Sequence, residues 1–201
     1  MRSTSSGLIL ALSLGVPAAA HAQAVDPAQA PVQLLCDRLI AIMKGGKPMG
    51  LQGRAAAIGP AVDRAFDLPL MTRLAVGPSW TSLTPADQTA LVAALRRMTV
   101  SQYAANFDSF GGQRFAIDPK VDARGGDRLV RTSLIQAGEQ PVSIAYRLRQ
   151  SGADWRIIDV YYRDSISQLA TRRSDFARVL ATGGAKALIR HLDDLGGKAG
   201  N

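Results

Sequence analysis

The chain of 201 residues has one cysteine, Cys36, two histidines and a single glutamate, Glu139. One thiol cannot close an intramolecular disulfide, so a hydrophobic core must supply the stability. Cys36 lies inside an apolar-periodic segment, away from any processed end, which argues against a lipoprotein anchor and predicts a buried small hydrophobe. A His-ligated zinc site would need more histidines or cysteines than are present, and a Ser/His/Asp arrangement would rest on His191 beside Asp193 and Asp194. No G-x-S-x-G elbow accompanies it, so His191 reads as a solvated surface residue. G-x-G-x-x-G and Walker A loops are also missing, so no nucleotide, metal or other cofactor is expected. Aromatic residues are only 5% of the chain while hydrophobic residues are 47%. The apolar interior should therefore be chiefly Leu, Ile, Val, Ala and Met, and such aliphatic surfaces suit acyl chains better than flat rings.

What is present begins with an export signal. Arg2, the apolar residues 8–16 and the Ala20-His21-Ala22 cleavage site make residues 1–22 a secretory signal peptide. The apolar run is shorter than the ~20 residues a spanning helix needs, which disfavours an uncleaved anchor. Removal of the leader also removes His21. Residues 23–197 then form one domain with no repeat or long linker, and residues 198–201 a disordered tail. The formal net charge of +8 calls for an anionic partner. Export and the absence of nucleic-acid signatures argue against nucleic acid, leaving anionic lipid headgroups or acidic protein faces.

The pattern is helical first and extended later. Asp26-Pro27 opens a helix carrying Leu35, Leu39, Ile42 and Met43 up to Gly45-Gly46. A second helix over 52–65 should kink or split at Gly59-Pro60. Asp67 caps a short helix ending at Gly77-Pro78, and Thr84-Pro85 opens a long one with Leu91, Leu95, Met98, Val100, Tyr103 and Phe107 on a broad apolar face. Four β-rich runs follow, over residues 113–117, 128–136, 141–149 and 154–162, spaced as an antiparallel meander. In the third, Val142, Ile144, Tyr146 and Leu148 alternate with Ser143, Ala145, Arg147 and Arg149, giving one apolar and one basic face. The fourth has apolar bulk on both sides, as a covered strand would. Two C-terminal helices, 167–180 and 185–195, are separated by Gly183-Gly184. The fold class is thus α+β.

Most aspartates, including Asp26, Asp67, Asp87, Asp118, Asp127 and Asp154, fall at caps or turns. Asp159 lies within the apolar fourth strand, where an unpaired carboxylate would cost several kcal/mol. Arg131 or Arg147 is the expected partner, with catalysis the alternative. Arg96-Arg97, Arg172-Arg173, Arg147, Arg149, Arg156 and Arg163 can hold a phosphate, dock on an acidic surface or simply form a solvated face.

Two segments carry a resemblance. FDLPLMTRLAVGPSW at residues 66–80 and WRIIDVYYRDSISQLATRRSDF at residues 155–176 make the chain similar to the MlaC/Ttg2D (toluene-tolerance) family of periplasmic lipid-binding components of ABC transport. The turn Arg163-Asp164-Ser165-Ile166-Ser167 departs from the usual pattern and is closer to the hopanoid-associated HpnM branch. The resemblance implies a helical N-terminal half, a curved four-stranded antiparallel meander and two C-terminal helices enclosing an apolar cavity. It implies a non-enzymatic monomer that carries a phospholipid, or a hopanoid-type lipid, and supports outer-membrane lipid asymmetry. Its partners would be an outer-membrane lipoprotein complex and an inner-membrane ABC transporter with its substrate-capturing component. The lining candidates are then Met71 and Leu74 on the short helix, Leu95, Met98 and Tyr103 on the long one, and Ile144, Tyr146, Ile157, Val160 and Tyr162 on the sheet. An envelope adaptor gripping a partner helix and a cone-shaped enzyme using Asp159 are the competing readings.

Overall fold

Two helix starts are set by a short polar side chain close to a proline, at Asp67 and at Thr84. The computed structural model describes residues 25–163 and 165–198. The expected leader and residues 199–201 lie outside them, while Lys198, expected to begin the tail, ends the last helix. Asp26 Oδ1 accepts the Ala28 N–H at 2.9 Å just before α1, Gln29–Gly45. That helix buries Val32, Leu35, Leu39 and Ile42 together with Cys36. Burial pushes the Cys36 thiol up to about 12, so it behaves as the small hydrophobe its position predicts.

The second helix, α2 (Gly50–Ala65), is continuous through Pro60 and is not split. An interior proline costs about 3 kcal/mol, but fully burying Ile58 and Val62 contributes roughly 1.5–3 kcal/mol each. Asp67 accepts the Leu70 N–H at 3.0 Å to open α3, Leu68–Val76, which ends at Gly77 with φ 69°. Thr84 Oγ1 accepts the Asp87 N–H at 3.1 Å to open α4, Pro85–Asn106. Leu91, Ala94, Leu95 and Met98 pack α4 into the core, where it meets α2, α3 and a C-terminal helix.

The sheet is a consecutive antiparallel meander of five strands: β1 (Arg114–Arg124), β2 (Asp127–Ile135), β3 (Val142–Ser151), β4 (Asp154–Tyr162) and β5 (Ile166–Ser167). Four strands were expected. The fifth is two residues pairing with Tyr161 and Tyr162, too short to show any periodicity in sequence. β1 runs further than residues 113–117 because the strand resumes at Val121 after an irregularity at Asp118-Pro119-Lys120, where proline cannot donate to the ladder. In β4 the register shifts across Ile158: Arg147 faces Asp159 while Leu148 faces Ile157. This bulge is why Ile157 and Ile158 are both buried, the feature that blurred the strand's alternation.

One sheet face, with Val130, Tyr146, Leu148 and Ile157, joins the helices in a single core. The other carries the basic residues. There Asp127, 3% exposed at its side chain, accepts from Arg147 Nε at 2.6 Å and from Arg149 Nε at 2.7 Å. The last helix, α5 (Gln168–Lys198), breaks at Gly184, whose φ of 62° and ψ of −164° are not helical, so the two expected C-terminal helices are present. His191 is not a free surface residue: it bonds Asp175 across that break. Burial pushes the Asp175 carboxyl up, but the hydrogen bonds from His191 and Arg178 outweigh it and leave the group below the usual range. Among the described residues, no helix is long and apolar enough to cross a membrane.

Candidate functional site

Period-two alternation puts Val142, Ile144 and Tyr146 of β3 on one face, and the antiparallel register sets Ile144 opposite Tyr162 and Tyr146 opposite Val160. Facing them, Thr99, Gln102, Tyr103 and Asn106 recur on α4 at the three- and four-residue spacing of one helical stripe, which Phe107 continues at the helix end. Between strip and sheet lies a pocket of about 390 Å³, whose wall also takes in Phe66, Met71 and Leu134, with Gln168 and Arg172 from the first turns of α5. The volume falls in the range of ordinary ligand sites, about 300–1,000 Å³.

Rings share the apolar wall with the aliphatic side chains Met71, Leu134, Val142, Ile144 and Val160. Phe66, Tyr103 and Phe107 form a line with centroids 6.1 and 6.0 Å apart, and Phe107 continues it to Phe115 at 6.4 Å. Tyr146 and Tyr162 complete the aromatic surface. The few aromatics of the chain are concentrated here because a ring covers a large area with only two side-chain torsions to freeze. Tyr162 and Ile166 stay exposed, at 40% and 50%, where β4 meets β5, and the Arg163 guanidinium lies 5.4 Å from the Tyr162 ring centre.

The opposite part of the wall is polar. Arg172 Nη2 donates to Gln102 Oε1 at a long 3.4 Å, and Gln168 stands one turn before Arg172. Among the described residues no carboxylate comes within ion-pair distance of Arg172. Burial pulls its guanidinium below the usual arginine range, with Tyr103 and Asp159 acting the other way. Thr99 Oγ1 is buried without a hydrogen-bond partner among the described residues. Burial likewise raises the phenols of Tyr103 and Tyr146, so both stay neutral donors.

Of the residues chosen from sequence, Met71, Tyr103, Ile144, Tyr146, Val160 and Tyr162 come together on this wall. Leu95, Met98 and Ile157 sit in the packed core at 0–1% exposure, and Leu74 lines a separate cleft beside Ile158 and Leu169. Thr99, Gln102 and Asn106 were not among the residues chosen from sequence, because their polar side chains interrupt the apolar pattern that picks out Tyr103 and Phe107.

Asp159 does not pair with Arg147, whose carboxylate partner is Asp127. It accepts instead from Ser167 Oγ at 2.6 Å, from the Leu169 N–H at 2.9 Å and from its neighbour Val160 N–H at 2.8 Å. The carboxylate thus helps cap the start of α5 by taking one orphan donor of the first turn, while Ser167 Oγ accepts the Ala170 N–H at 2.9 Å. Other arginines are similarly engaged: Arg96 with Asp63, Arg97 with Asp193, Arg149 with Asp127. No group of three or more His, Cys, Asp or Glu placed to hold a metal occurs among the described residues.

Comparisons with known proteins bear on this pocket. A family model described as MlaC protein matches residues 33–194. Among solved structures, a phospholipid-binding protein from Ralstonia solanacearum, solved in complex with a phospholipid, is similar with a TM-score of 0.75 and 25% sequence identity. The likeness covers 88% of this chain and 100% of that one. A comparison with curated proteins gives no match.

Proposed function

The chain belongs to the MlaC family, and from that premise we propose that it is a periplasmic lipid carrier which seats acyl chains of a phospholipid in the pocket between α4 and the sheet. The observation that carries this reading is the aromatic and aliphatic wall built by Phe66, Tyr103, Phe107, Ile144, Tyr146 and Val160. The bound phospholipid in the Ralstonia solanacearum protein of the same fold supports it. Each methylene moved from water to such a wall contributes about 0.8 kcal/mol, which holds a chain firmly without any bond being made or broken. The role is binding, not catalysis: the carboxylate of Asp159, the residue an enzyme reading would need, is engaged in capping α5.

In this account the single domain of residues 23–197, monomeric after loss of its leader, shuttles cargo between an outer-membrane lipoprotein complex and an inner-membrane ABC transporter with its substrate-capturing component. The exposed Tyr162 and Ile166, next to Arg163, form an amphipathic rim suited to a lipid surface. A hopanoid-type cargo rests on the sequence of the turn at Arg163 to Ser167; a phospholipid has in addition the relative's ligand.

Native mass spectrometry of protein purified from the periplasm tests the proposal. A co-purifying lipid with a defined mass is expected. A protein that emerges bare, and stays bare after incubation with phospholipid micelles, would overturn it.

A further inference from the structure

A cation facing a largely apolar pocket needs an anion. We propose that Arg172, assisted by Gln102 and Gln168, anchors an anionic oxygen group of the cargo, so that the pocket selects a lipid whose phosphate enters its polar side over a neutral lipid of the same chains. The inference rests on the lipid-carrier reading and adds headgroup chemistry to it. Most other arginines that the sequence offered as phosphate ligands have a partner: Arg96, Arg97, Arg147 and Arg149 each bond a carboxylate. Among the described residues, the side-chain hydrogen bond of Arg172 is the long contact to Gln102, and the residue lines the same pocket as the apolar rings. The nearby Asp159 is already satisfied by Ser167 and by the first turn of α5.

Three further features fit an anion there. Gln102 and Gln168 bring side-chain amides to the pocket wall from two different helices, and an amide N–H₂ donates to a phosphate oxygen as readily as its oxygen accepts from arginine. The guanidinium presents a planar fork matched to two phosphate oxygens. Thr99 leaves a buried hydroxyl without a partner one turn from Gln102 on the same wall. Burial that lowers the Arg172 pKa also strengthens any charge it meets, because the local dielectric is low.

The test offers the full-length mature protein nonionic micelles holding equimolar phosphatidylglycerol and diacylglycerol with identical acyl chains, and the lipids bound after re-isolation are counted. The wild type is expected to prefer phosphatidylglycerol by roughly ten- to hundredfold, the scale of a charge-assisted hydrogen bond in a pocket. Arg172→Gln should erase the preference with the thermal midpoint near wild type, and Arg172→Lys should restore part of it. Equal uptake of the two lipids by wild type, or an undiminished preference in R172Q, overturns the anchor while leaving the carrier reading standing. Binding of inorganic phosphate that depends on Arg172, with neither lipid taken up, overturns the carrier reading and this inference with it.

Discussion

Replacing Ile144 with asparagine separates a pocket wall from a packed core. Ile144 lies half-buried on β3, opposite Thr132 on one side and Tyr162 on the other, and its face looks into the pocket. The substitution removes about two methylene equivalents of apolar contact, about 1.6 kcal/mol at 0.8 kcal/mol each. It also sets an amide against the acyl chain, costing a further ~1–3 kcal/mol where no partner is found. Binding of a phospholipid should weaken by roughly 100- to 1,000-fold, on a scale of 1.4 kcal/mol per decade. Stability should fall by only about 1 kcal/mol, the span of strand preferences at a half-buried site. Leu95→Asn makes the contrast, because Leu95 is 1% exposed and packed in the core, so that its loss costs about 3–5 kcal/mol and lowers the thermal midpoint sharply. Lipid extraction and mass analysis of both folded variants, beside their thermal melts, provide the assay. A stable Ile144→Asn protein that keeps its full lipid complement would refute the pocket assignment.

Other features of the chain yield further expectations. The Asp127 carboxyl is held below its ordinary range by the hydrogen bond from Arg149, opposed by burial and reinforced by Arg147. Because the folded value is depressed, its stabilisation is present above the unfolded value near ~3.9 and is lost as pH falls through the lower folded value. Asp127→Asn should therefore cost about 2 kcal/mol between pH 5 and 8, less than a fully buried pair because the arginines are 38% and 44% exposed, and the gap should close in acid; a chemical-denaturation series across pH checks it. Asp159→Ala should cost about 1–2 kcal/mol in thermal melts through the lost cap while lipid binding persists, and abolished binding in a folded variant would contradict a purely capping role. At Gly196 an added Cβ would lie 3.3 Å from the Met98 backbone, whereas at Gly197 it meets nothing within 4 Å. Gly196→Ala should thus lower, and Gly197→Ala hold or raise, the melting temperature, the gain at an open helical site being up to about 1 kcal/mol.

Much of the fold was legible because local chemistry and global packing agree. Thr84 and Asp67 cap the helices their sequence contexts announce, and the alternation of residues 142–149 became a strand with one apolar and one basic face. The split expected at Pro60 is absent because a propensity penalty is local, whereas the burial that overrides it comes from other elements. The bulge at Ile158 and the strand β5 depend on register, which no single segment encodes. For the site, residues on the sheet were readable from alternation. Leu95 and Met98 were placed with them since periodicity marks a buried helix face without distinguishing core from cavity wall. Arg172 stood among the arginines that the sequence offers to a phosphate, whereas Gln102 and Gln168 draw their meaning only from the apposition of α4 and α5.

The most direct test of the account is where a bound chain lies. A phospholipid with a photoreactive diazirine in its acyl chain, loaded on the protein and irradiated, should label peptides that contain Tyr103 of α4, the adjoining Phe107, and Ile144 to Val160 of the sheet. Labelling confined to the outer surfaces of α1 and α2, or to the basic sheet face around Arg147 and Arg149, would contradict the carrier account.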